Sequence, residues 1–123
     1  YANGYYLARQ AAKELEEQHK IKTRILDLRW LNPLSEAEIL KAAAPCKNIL
    51  IVDECRTTTS ISETLTTMLH ENLSPLPPTK RLAAKDSFIP LGRVANITMP
   101  GKEDIVDAGV ELVKGSAKMR KAG

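Results

Sequence analysis

"NILIVDECRTTTSISETL", Asn48 to Leu65, changes character twice within a short span. Ile49 to Val52 form a continuous apolar run, the pattern of a strand covered on both faces. Ile61, Leu65, Met68 and Leu69 then recur at helical spacing. Ser60 and Glu63 have the spacing of a capping box, which predicts a helix starting at Ser60. A buried strand running straight into an amphipathic helix is the unit of an α/β protein. Between the two lies a polar joint: Asp53, Glu54, Cys55, Arg56 and the hydroxyl run Thr57 to Ser60.

The flanking segments continue the alternation. Upstream, "LNPLSEAEILKAAAP" predicts a helix with Ser35 as N-cap, Glu38 completing its capping box, and Leu34 and Ile39 as a hydrophobic staple. Pro45 ends it. "KTRILDLRW", Lys22 to Trp30, has the β-branched and apolar residues of a strand. "GYYLARQAAKELEEQH" predicts a helix with Leu7, Ala11 and Leu15 on one face, closing on His19 and Lys20 where the helix dipole favours cations. Downstream, "NLSPLPP" is a loop by its prolines. "TKRLAAKD" predicts a third strand, and "SFIPLGRVANITMPG" a long irregular stretch. "KEDIVDAGVELV" predicts a last helix with Ile105, Ala108, Leu112 and Val113 on one side. Gly109 weakens that helix but permits close packing.

Alternation of this kind implies right-handed crossovers and a mainly parallel sheet between helix layers, an α/β/α sandwich. Three strands are few for four helices, and the opening helix has no strand feeding it. A first strand upstream of Tyr1 is therefore expected, which would make this chain a piece of a longer protein. Residues 1–113 are expected to form the domain and residues 114–123, "KGSAKMRKAG", a flexible basic tail.

Composition narrows the function classes. The 123 residues are 43% apolar and 27% charged, with a formal net charge of +3. The basic residues are scattered among acids rather than gathered into an aromatic-interleaved stripe, which argues against nucleic-acid binding. No apolar run approaches the length of a membrane span. Cys46 and Cys55 flank one strand and would lie near its opposite ends, so they are expected to stay reduced, as in an intracellular protein.

In an open α/β sheet, ligands gather beyond the carboxyl ends of the strands. Asp27 and Arg29, then Asp53, Glu54 and Arg56, then Lys85 and Asp86 should all lie there. A phospho-acceptor receiver domain is one alternative, with clustered carboxylates holding magnesium and a lysine contacting the phosphoryl group. It needs a carboxylate pair closing the strand before the first helix, which this chain lacks. A phosphate cradle at the Thr/Ser-rich helix start is another, but the joint has no glycine to form a nest. A Cys55 nucleophile would need a base, and His19 and His70 stand alone in helical patterns. The bland alternative is a polar turn whose carboxylates and Arg56 pair locally. No self-contained catalytic, cofactor or metal site emerges from the residues.

Four segments in order, "ILDLRWLNPLSEAEI", "NILIVDECRTTTSISETL", "KRLAAKDSFIPLG" and "MPGKEDIVDA", resemble the C-terminal domain of transketolase-like enzymes. They are most similar to the beta part of the thiamine-diphosphate-dependent decarboxylating component of 2-oxo acid dehydrogenase complexes. The resemblance runs from about Ala2 to Val113. It implies a three-layer α/β/α domain whose first strand ends in a T-Y-G-like turn, with "YANG" the remainder of that turn. It implies a parent oxidoreductase in which thiamine diphosphate and magnesium are held by other domains and none by this one. The expected partners are the other domains or subunits, the acyltransferase core and a second copy of the chain, with neither nucleic acid nor membrane. The expected location is the bacterial cytoplasm, or the mitochondrial matrix in a eukaryote. Asp53, Glu54, Arg56, Thr57, Lys85 and Asp86 become candidate assembly-interface residues, with no catalytic residue among them. One position departs from the family pattern: Thr59 stands where a glycine is usual, and threonine would be strained there at positive φ.

Overall fold

The computed structural model of the 123-residue chain describes residues 1–122, with the side chains of residues 96 and 119–122 outside the description. In chain order it comprises α1 (Ala2–His19), α2 (Glu36–Ala43), β1 (Ile49–Arg56), α3 (Ile61–Asn72), β2 (Thr79–Ala84), a 3₁₀ turn (Gly92–Ile97) and α4 (Lys102–Ala122). β1 and β2 pair in parallel, with Ile49 opposite Thr79 and Asp53 opposite Ala83. The register then breaks, so that Arg56 faces Ala84 and Glu54 and Cys55 are looped out of the ladder. A bulge of this kind bends a strand and re-aims its side chains. Here it lies at the polar joint.

The sheet is covered on both faces, as the run Ile49 to Val52 implies. Leu50 and Val52 point towards α1 and α4, packing on Ala11, Leu15, Ile105 and Val106. Ile49 and Ile51 point the other way, into a cluster with Ile39 of α2 and Leu65, Met68 and Leu69 of α3. Alternate residues of one strand thus feed two separate cores, the consequence of a side-chain period of two between helix layers. Gly109 does allow close packing: a Cβ there would stand 3.2 Å from Leu15 Cδ1. Leu34 packs against the cluster of Ile39, Leu65, Met68 and Leu69, on the side the expected staple requires, although Ser35 caps α2 without a side-chain hydrogen bond. No described helix is long and apolar enough to cross a membrane.

One expectation is corrected. Residues 22–30 form no strand, and Ile25, Leu26 and Trp30 are exposed. Their composition suits a strand, but a strand exists only where its backbone has a ladder to join, and β1 and β2 are the only paired strands among the described residues. α4 continues to Ala122, and Ser116 is buried with its hydroxyl donating to the Val113 carbonyl at 2.9 Å.

Candidate functional site

The joint between β1 and α3 is built around Asp53, whose side chain is 1% exposed. Its Oδ1 accepts from the Tyr1 hydroxyl at 2.7 Å and from the Cys55 amide at 2.9 Å. Its Oδ2 accepts from the Ser62 amide at 3.1 Å. The Cys55 amide is available because the bulge removes it from the ladder. The Ser62 amide is one of the free donors of the first helical turn. Asp53 therefore caps α3 from the preceding strand. The capping box read from the sequence is realised differently: Ser60 makes no side-chain cap and instead bonds the Ser62 hydroxyl at 2.6 Å, while Glu63 reaches back to the Thr59 amide at 2.8 Å.

These bonds shape the electrostatics. Burial alone would raise the Asp53 carboxyl, but the donors from Tyr1, Cys55 and Ser62 outweigh it and hold the group below the usual aspartate range. Burial pushes the Tyr1 phenol up, and its hydrogen bonds with Cys55 and Asp53 push it further. Tyr1 Oη lies 3.1 Å from Cys55 Sγ. Cys46 and Cys55 are both free thiols, one ahead of β1 and one at its far end.

The hydroxyl run is pinned by β2 and the turn after it. Thr57 donates to the Ala84 carbonyl at 2.9 Å. Asp86 Oδ1 accepts from both the amide and the hydroxyl of Thr58, at 3.0 and 3.1 Å. Arg81 donates to the Thr57 carbonyl and lies 3.6 Å from Glu63 Oε1. Asp53, Arg56, Thr57 and Asp86 are thus brought into one locked joint. Lys85 enters only through its backbone, which donates to the Thr98 carbonyl at 2.9 Å, and its side chain is exposed. Asp27 and Arg29 pair with each other at 2.9 Å. His19 and His70 are exposed on their helices.

Thr59 has φ +54°, the left-handed region, and its hydroxyl accepts from Arg56 at 3.3 Å. A β-branched residue there costs on the order of 1–2 kcal/mol, a cost glycine avoids. Thr59→Gly is expected to raise stability by about 1 kcal/mol after the entropy of the added glycine is deducted. Chemical denaturation measures this directly, and a loss of stability would show that the Arg56 contact outweighs the backbone strain.

Glu54 stands beside the lock, at a cleft that Asp53 also lines. This cleft of about 570 Å³ is lined as well by Gly4 and Gln10 of α1 and Gly101 to Asp104 at the start of α4. Lys102, at that rim, is bound to Glu14 at 2.8 Å and to Glu103 at 3.3 Å. Among the described residues no group of three or more His, Cys, Asp or Glu side chains is placed to hold a metal ion. Beyond β2, Phe88 and Leu91 are 98% and 96% exposed, with Ile89, Val94 and Ile97 also exposed nearby in sequence. Aromatic and aliphatic side chains left this far in water by a folded domain are the material of a contact surface.

Sequence inspection missed Arg81, Tyr1 and Ser62. Arg81 left a signal: an arginine in a strand, followed directly by the apolar run Leu82 to Ala84, needs a partner. Tyr1 and Ser62 left none, because their role depends on where Asp53 lies.

The family model described as Transketolase, C-terminal domain matches residues 1–105. Pyruvate dehydrogenase E1 component subunit beta of Staphylococcus aureus is 26% identical over 107 residues, 85% of this chain and 33% of that protein. The 1-deoxy-D-xylulose-5-phosphate synthase of Halothermothrix orenii is 28% identical over 111 residues, 88% of this chain and 17% of that protein. The chain therefore spans about a third or less of the length of these relatives.

Proposed function

We propose, on the premise that this chain belongs to the transketolase C-terminal domain family, that it is the assembly domain of a thiamine-diphosphate-dependent 2-oxo acid dehydrogenase. Its place in that enzyme is the C-terminal part of the beta component. The domain docks against the other domains or subunits and the acyltransferase core, and the chemistry belongs to its partners. The observation that carries this reading is a contrast. The polar joint spends its groups on its own backbone, whereas Phe88 and Leu91 stand almost wholly in solvent. Locked polar groups support structure, and unpartnered apolar ones support contact.

Thiamine diphosphate and magnesium are assigned to the other domains of the parent enzyme. The joint has no glycine, so it offers no phosphate nest. Calorimetry of this chain with thiamine diphosphate and magnesium is expected to show no binding up to millimolar ligand. Micromolar, magnesium-dependent heat would overturn the assignment.

The contact surface has its own test. In the full-length protein, Phe88→Asp with Leu91→Asp is expected to weaken subunit assembly at least about tenfold, each 1.4 kcal/mol of lost contact being a factor of ten. The same pair in the isolated chain should change stability by no more than about 0.5 kcal/mol, as for ordinary surface substitutions. Sedimentation velocity of the full-length variant decides, and unaltered assembly would place the contact elsewhere.

The relationship to 1-deoxy-D-xylulose-5-phosphate synthase favours a second reading, the C-terminal domain of another transketolase-like enzyme. Formation of 1-deoxy-D-xylulose 5-phosphate by the full-length protein would select it. The receiver alternative is set aside by the family match.

A further inference from the structure

We draw no further inference here: the strongest candidate, the cleft between the start of α1, the end of β1 and the start of α4, is lined by the carboxylates of Glu54, Glu103 and Asp104 and by a helix N-terminus, with nothing in the structure to show what occupies it.

Discussion

Asp53→Ala is expected to lower the stability of this domain by about 4 kcal/mol, a large share of the roughly 5–15 kcal/mol that holds an ordinary domain together. The carboxylate is buried and accepts three hydrogen bonds, two of them from backbone amides. Alanine takes the acceptor away from those donors, at about 1–3 kcal/mol for each buried one left unpaired. Asp53→Asn keeps the shape and one acceptor oxygen, and is expected to lose about half as much. Urea denaturation of both variants measures the difference. A loss under about 1 kcal/mol for the alanine variant, the net worth of one ordinary hydrogen bond, would mean that Asp53 does not organise the joint.

The same residue predicts an acid limb in the stability profile. The Asp53 carboxyl titrates lower in the folded state than in the unfolded chain. Its contribution is therefore complete above the ordinary aspartate value of about 3.9 and is lost as the pH falls through the lower folded value. The Asp53→Asn variant lacks this limb. Tyr1 has the opposite sign: its phenol is raised in the fold, so its contribution is complete below about pH 10 and is lost as the pH rises beyond that.

A parallel strand supplied to the free edge of β1 is expected to stabilise the domain by about 3 kcal/mol. Two or three newly buried side chains contribute roughly 1.5–3 kcal/mol each, and the ordering of the added backbone offsets part of that gain. The geometry is prepared for it. β1 pairs with β2 along one edge and has no strand along the other among the described residues. The hydroxyl of Tyr1 touches Asp53, so the polypeptide enters α1 at the C-terminal end of β1. A strand running parallel to β1 would end at that point. It would also give residues 22–30 an edge to join. An extension of about ten residues ahead of Tyr1, five of them reaching along β1 at ~3.3 Å each, should raise the denaturation midpoint. An open edge and exposed apolar side chains also favour self-association, and the unextended chain is expected to form a homodimer. If the edge is the contact, the extension weakens the dimer. Sedimentation and denaturation of both proteins test this: a monomeric chain no less stable than the extended one would remove the edge from the account.

Much of the fold was legible because its signals are local. The run Ile49 to Val52 marked a strand with two covered faces, and its alternate residues do supply two cores. The spacing of Leu7, Ala11 and Leu15 marked α1, of which Ala11 and Leu15 are buried. Gly109 marked a close helix crossing, and Leu15 occupies it. Thr59 was conspicuous as a departure from a family glycine, and it holds the left-handed backbone that the departure warned of. Each of these follows from side-chain periodicity or backbone sterics, which act over a few residues.

What remained hidden depends on contacts between distant parts of the chain. Lys22 to Trp30 have the side chains of a strand, but strand formation requires a neighbour, and no composition supplies one. Ser60 and Glu63 have the spacing of a capping box, yet Asp53 reaches the first turn of α3 from the previous element and Ser60 turns to Ser62 instead. Asp53, Glu54, Arg56, Thr57, Lys85 and Asp86 were gathered as one group of candidate interface residues through the family resemblance. The tertiary structure divided them: Asp53 into the core of the joint, Arg56, Thr57 and Asp86 around it, Glu54 into the adjoining cleft, and Lys85 out to solvent. By itself the sequence determined the order of the helices, the covered strand and the family, because periodicity and motif are properties of short segments. Only the tertiary structure decided which polar groups meet, because β1–β2 pairing and its bulge bring Thr57 to Arg81 and Thr58 to Asp86 across a long stretch of chain.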